Sequence, residues 1–395
     1  AQVVTPVTVR PWGRMSSAGV DTRGSSAGWC GCAQIMGESS IHGRLSAGFV
    51  PRENDLMKVF VGIRAGYEHE SFVFPFAKTF IDELDRRGIA WTHDPDEPCD
   101  VALLVQWATD EQTVARMKAR GTVIVHRLDG RARALVKVYD NDEVNRRINR
   151  LADWTVFQAR YVREHTVNEC GTIFGVEAPI VQNPQRASLI YNGVDRSVFS
   201  DTGPIEPLAG EVRVLHVAFS MGTRKGVPDL YKAANLLKNN PAIRFYTIGR
   251  QNLDLTHGPL LANLPNVTHL GVIVDRERLA SIMRSCDVLF FPSYGDYCPN
   301  TVLEGMSCGL PVWYHDSGGT PELVRDEVTI AGVPMMPENP VYPLYVLLEH
   351  KQEMSRRAVE MVRRRFTAER MVDDYLALFE RLLAERRVPV GSVSA

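Results

Sequence analysis

From Met57 to about Pro207, and again from Val212 to about Val333, short apolar runs alternate with segments of helical periodicity. That order builds repeated βαβ units, and two such series build two parallel sheets. Lys58-Val-Phe-Val-Gly62, Asp100-Val-Ala-Leu-Leu-Val105 and Asp287-Val-Leu-Phe-Phe-Pro-Ser293 are examples of the apolar runs, each read as a strand. At 395 residues with 45% hydrophobic content, the chain is long enough to bury two cores, since single cores stop growing well below that size. The expected fold is therefore α/β, with two Rossmann-like doubly wound parallel-sheet domains. The expected limits are 57–207 for the first domain and 208–340 for the second. Residues 341–395 are expected to form helices and a tail, including the amphipathic run from Phe366 to Leu383. Residues 1–56 are rich in Gly, Ser and Arg without a sustained period, and are read as a poorly ordered extension.

A net charge of −2 argues against nucleic acid as the main partner. Arginines cluster at Arg146, Arg147 and Arg150, and again between Arg356 and Arg365, in patterns that suit solvated helix faces. No apolar run approaches the length of a membrane span, so the expectation is a cytoplasmic protein, at most peripheral at a membrane. Seven cysteines without a CxxC pair suggest reduced thiols, with neither a disulfide framework nor a zinc site. Asp94-Pro-Asp96 sits in a Pro-containing turn and reads as solvated. No metal and no cofactor are expected.

The densest chemistry follows the strand that ends at Ser293. Asp296-Tyr-Cys-Pro-Asn-Thr-Val-Leu-Glu304 places two carboxylates around a helix start expected near Pro299 or Asn300. Free N–H groups at Asn300 and Thr301 would favour phosphate oxygens. Glu304 lies about one turn into the helix while Asp296 stays in the loop, so the two acids can address opposite ends of one hydroxyl-rich ligand. Upstream, the strand Val212-Arg-Val-Leu-His-Val-Ala-Phe219 leads into Ser220-Met-Gly-Thr-Arg-Lys-Gly226, a glycine-containing loop whose Lys225 can meet a diphosphate. In the other half, the strand within Gly121-Thr-Val-Ile-Val-His-Arg-Leu-Asp-Gly130 delivers His126, Arg127 and Asp129 at its carboxyl end, where doubly wound sheets bind ligands.

Asp296 and Glu304 at this spacing, followed by Gly-Met-Ser-Cys-Gly-Leu-Pro-Val312, resemble the signature of retaining glycosyltransferases with the GT-B fold, particularly glycosyltransferase family 4. Ile190-Tyr-Asn-Gly-Val-Asp-Arg-Ser-Val-Phe199 resembles that family's hinge segment, and Ser317-Gly-Gly-Thr-Pro-Glu322 its cleft-lining loop. The resemblance covers nearly everything after Met57 and is strongest between Asn192 and Val324.

It implies a metal-independent, retaining transfer of a sugar from a UDP- or GDP-sugar to a saccharide or glycolipid acceptor, as in polysaccharide biosynthesis. It also implies that the two domains face each other across a cleft and that the carboxyl-terminal helices pack across both. Glu304 would hold the ribose and Asp296 the transferred sugar. Pro299, Asn300, Thr301 and Lys225 would hold the diphosphate, and the backbone at Val272 and Ile273 the base. His126 would face the donor across the cleft. Arg127, Asp129 and the loop residues Arg64, Gly66, Glu68 and His69 would lie on the acceptor side. One departure stands out: the family's Arg five positions before the Lys-Gly pair is Ser220 here, with Arg224 or Arg250 as its replacement. Two other readings stay open at this level, a catalytically silent nucleotide-sugar binder and a sugar-nucleotide epimerase of the same fold.

Overall fold

The structure, a computed structural model, describes residues 57–63, 75–106, 108–130, 141–167, 172–173, 176–177, 179–251, 260–261 and 263–387. The expected extension 1–56 and the loop carrying Arg64, Gly66, Glu68 and His69 lie outside them.

The first sheet contains β1 (Val59–Gly62), β2 (Trp91–Thr92), β3 (Val101–Val105), β4 (Val123–Leu128) and β5 (Trp154–Phe157). After the short hairpin β6 (Thr172–Ile173) and β7 (Val176–Glu177), β8 (Ala187–Leu189) completes it. Its order is β2-β1-β3-β4-β5-β8, every pairing parallel. The second sheet contains β9 (Val212–Met221), β10 (Ile243–Gln251), β11 (Val267–His269), β12 (Val288–Phe291), β13 (Val312–Tyr314) and β14 (Gly332–Pro334). Its order is β11-β10-β9-β12-β13-β14, again parallel throughout. The α/β architecture with two Rossmann-like sheets is thus as the strand-helix alternation implies.

Burial explains the all-apolar runs. Every residue of β1, β3, β4 and β12 is buried, because helices cover both faces of a parallel sheet. In both sheets the strand order reverses beside the first strand, between β1 and β3 and between β9 and β12. Loops leaving the strands on either side of such a switch point diverge and open a crevice. For the second sheet those loops are 222–226, which carries Arg224 and Lys225, and 292–299, which carries Asp296 and Pro299.

The chain crosses between the sheets twice. Val194 N donates to the Phe366 carbonyl at 2.8 Å and Ala368 N to the Val194 carbonyl at 3.0 Å, so the outgoing and returning crossings lie side by side. The helix Lys351–Arg365 buries Ala358, Met361 and Val362 in the same core as Leu303 and Met306 of the second domain. The helix Ala368–Arg387 instead docks on the first, its Tyr375 ring 5.3 Å from Phe80 and 5.8 Å from Phe76.

Candidate active site

Loop 222–226 is a 3-10 turn, Thr223–Lys225, closed by Gly226 at φ +74°. A side chain at 226 would be strained in that region and would run into the Pro292 carbonyl, so glycine lets the loop lie against the end of β12. The closeness has a chemical result. Lys225 Nζ lies 2.6 Å from Asp296 Oδ2, and Ser293 Oγ donates to the same oxygen at 2.7 Å. Burial alone would push the Asp296 carboxyl up; Lys225, Ser293 and Arg224 outweigh it and hold the group below the ordinary carboxylate value.

The helix Asn300–Ser307 begins just beyond, with Pro299 at its N-cap and no side chain capping it. Its first-turn amides are therefore left for a ligand. One turn in, Glu304 is 6% exposed, and Arg276 Nη2 is 3.3 Å from its Oε1. Burial pushes this carboxyl above the ordinary range, and Arg276 opposes the push without cancelling it. Lys225, Ile273, Arg276, Asp296, Asn300 and Glu304 are brought together around a cavity of about 180 Å3, together with Pro299 and Thr301.

A second cavity of about 290 Å3 shares Lys225, Asp296, Pro299 and Asn300 with the first, and its far wall comes from the first domain: Phe76, Arg127, Asp129, Gln158 and Asn192. Arg127 is only 2% exposed, with its guanidinium 3.7 Å above the Phe76 ring. It pairs with Asp129, and its Nη2 donates to Gln158 Oε1 at 2.9 Å and Asn192 Oδ1 at 2.8 Å. Asn192 Nδ2 in turn donates to the Cys298 carbonyl at 3.1 Å, tying the first domain to the Asp296 loop.

The expectation that His126 faces the cleft is not met. Successive side chains on a strand point to opposite faces, and Arg127 takes the cleft face of β4. His126 is fully buried on the other, where Asn149 Nδ2 donates to Nδ1 and the Gln106 carbonyl accepts from Nε2, both at 3.2 Å. Burial lowers its pKa to about 4, so the ring is neutral. Val272 is half exposed and lines neither cavity, whereas its neighbours Ile273 and Val274 line the first. Arg224 and Arg250 line neither cavity. Arg224 meets the site through its carbonyl, which accepts from Tyr294 N at 2.8 Å, while Arg250 sits opposite Ser220 in the β9–β10 ladder, 5.3 Å over the Phe219 ring.

The sequence reading missed Arg276 and the reach of Glu322. Glu322 accepts from Arg160 N at 2.9 Å, Tyr161 N at 2.7 Å and the Tyr191 hydroxyl at 2.7 Å, capping a first-domain helix from the second domain. A Gly-Gly-x-Pro-Glu stretch signals a loop, yet the partner of its acid depends on how the domains meet. Among the described residues no group of three or more His, Cys, Asp or Glu is placed to hold a metal ion, and no helix is long and apolar enough to cross a membrane.

Residues 211–341, which hold every second-domain residue of these cavities, match the family model described as Glycosyl transferases group 1. Over that segment the chain is similar to glycosyl transferases group 1. Its overall fold is GT-B, and solved structures of that fold superpose on it. HepE of Anabaena, solved in complex with UDP, gives a TM-score of 0.59 at 16% identity over 82% of this chain and 100% of that one. Sucrose-phosphate synthase of Thermosynechococcus elongatus gives 0.56 at 19% identity, over 80% of each chain. Among curated proteins, D-inositol 3-phosphate glycosyltransferases of Thermobifida fusca and Mycobacteroides abscessus are 27% and 28% identical, over 37% and 52% of this chain. The matches span 38% and 49% of those relatives' lengths, less than half of each. The matched segment lines both cavities, and Pro75, Phe76, Arg127 and Asp129 are lining residues from the first domain.

Proposed function

We propose that this chain is a retaining glycosyltransferase that moves a sugar from a UDP- or GDP-sugar to a saccharide or lipid-linked saccharide, without a metal ion. The observation that carries the reading is the wall that the two cavities share at Lys225, Asp296, Pro299 and Asn300. A cation, an uncapped helix start and a buried acid surround one, and the other extends from the same Lys225 and Asp296 to the first domain. The UDP named with the Anabaena neighbour favours uridine as the base.

In this reading Lys225 and the amides of Asn300 and Thr301 hold the diphosphate, Glu304 accepts from the ribose hydroxyls, and the backbone at Ile273 meets the base. Asp296 addresses the transferred sugar. Negative charge builds on the diphosphate as the glycosidic bond breaks, and fixed cations and oriented N–H groups stabilise it where it develops. The acceptor hydroxyl attacks from the face the diphosphate leaves, and a phosphate oxygen takes its proton. His126, neutral and enclosed on the far side of β4, has no part in these steps.

Thermal shift and diphosphate release against UDP-, GDP- and ADP-sugars, with chelator present, test the proposal. One nucleotide series is expected to raise the melting temperature and to be turned over slowly, and Glu304→Ala to abolish both effects. Activity that disappears with chelator and returns with a divalent cation would overturn the metal-independent part; no response to any donor would overturn the whole.

A further inference from the structure

We infer that Arg276 is a positioning residue that aims Glu304 at the ribose of a bound nucleotide, so that donor recognition depends on this ion pair; the inference rests on the nucleotide-sugar reading above. Glu304 is 6% exposed and lines the cavity beside Ile273, Asn300 and Arg276. A carboxyl buried to that degree without a cation tends to pick up a proton. The two states recognise different things. An ionised carboxylate is acceptor-only and can take hydrogen bonds from two vicinal hydroxyls, whereas a protonated one spends an oxygen as a donor.

Burial pushes the Glu304 carboxyl up, and Arg276 works against that push, favouring the first state. Its Nη2 lies 3.3 Å from Oε1, which leaves the remaining lone pairs of the carboxylate for hydroxyls. The guanidinium is itself fixed from two directions. Its carbon sits 4.8 Å over the Phe199 ring, and its backbone opens the helix Arg276–Ser285, whose N-cap Asp275 accepts from Glu277 N at 3.0 Å and Arg278 N at 3.2 Å. The Arg276 side chain is 18% exposed, against 8% for Glu304, so the pair is well screened from water. Other charged or titratable groups near Glu304 do not replace it. Lys225 lines the same cavity but is paired with Asp296, Arg196 reaches Ser307 Oγ at 3.3 Å, and Arg284 donates to the Pro204 carbonyl. The nearby Cys308 thiol is pushed up to about 12, chiefly by burial, and stays neutral.

Titration calorimetry of the full chain with UDP and 2′-deoxy-UDP reads the contact, with GDP and its 2′-deoxy form as the alternative pair. Wild type is expected to prefer the ribose form by roughly tenfold, the scale of one hydrogen bond to a charged group. Arg276→Met is expected to erase most of that preference at pH 6 while leaving affinity for the deoxy form within about twofold. The preference should return as pH rises and Glu304 ionises; Arg276→Lys should keep part of it at every pH. In a Glu304→Gln background, Arg276→Met should remove nothing further, since both substitutions delete the same interaction. Circular dichroism of each variant checks that the fold is kept. Equal loss for ribose and deoxy forms, or an intact preference in Arg276→Met, overturns the role of Arg276 alone. Failure of wild type to bind UDP, GDP or ADP overturns the nucleotide-sugar reading and this inference with it.

Discussion

Replacing Lys225 by Ala is expected to lower turnover per donor by roughly a hundredfold, the scale seen when one preorganised group is removed from a developing negative charge. The loop places this cation with little freedom. Gly226 packs it against Pro292, and Lys225 N donates to the Gly222 carbonyl at 3.0 Å. The ammonium is 2.6 Å from Asp296, so a diphosphate enters a site whose positive charge is already in place and need only exchange partners. Lys225→Arg keeps the charge and should lose less than Lys225→Ala. The same substitution changes stability in a defined direction. Asp296 is held below its ordinary value in the folded protein, so it contributes stability above its unfolded pKa, and that contribution is lost as pH falls through the folded value. Without Lys225 the main group opposing burial is gone, and Lys225→Ala should unfold at lower urea than wild type at pH 7 while converging with it in acid. Single-turnover kinetics and urea melts read the two effects separately. Near-normal turnover in Lys225→Ala would sink the assignment.

Much of this site is legible in the sequence because its parts are local. An apolar run, a loop and a helix start fix where Asp296, Asn300 and Glu304 fall relative to one another, and the structure starts the helix at Asn300. A loop beyond β9 that carries Lys225 is legible for the same reason. What the sequence does not carry is the facing of β4. All six of its residues are buried, so no apolar/polar alternation distinguishes His126 from Arg127, and the cleft side is set only when helices pack on both faces. Ile273 and Val272 differ likewise by the turn of one loop residue. Arg276 fails differently, since it opens one helix and Glu304 lies within another, and nothing in either segment names the other as partner. The network of Arg127, Gln158, Asn192 and the Cys298 carbonyl is the same case across domains.

Gly319→Ala is expected to cut turnover by roughly a hundredfold, as a 1 Å displacement of reacting groups can, and to destabilise the fold by about 1–3 kcal/mol, the scale of overpacking. Gly319 has φ −85° and ψ −4°, values any residue adopts, so backbone strain is not the cause. Space is the cause. A Cβ at 319 would run into the Tyr297 carbonyl oxygen on one side and lie 3.2 Å from Ala159 Cβ on the other. The oxygen belongs to backbone, so no rotamer relieves the clash and the Asp296–Tyr297 segment has to move. That segment is also held by Gly319 N, which donates to the Asp296 carbonyl at 2.7 Å, so the movement reaches the carboxylate paired with Lys225. Gly121 provides the contrast. It has φ +95°, but a Cβ there would meet nothing within 4 Å, and the residue follows the helix Glu111–Ala119 away from both cavities. Gly121→Ala should therefore cost about 1–2 kcal/mol from left-handed strain while leaving turnover unchanged. If Gly319→Ala also keeps wild-type turnover, the close packing of the Gly-Gly loop on the Asp296 segment does not position the site.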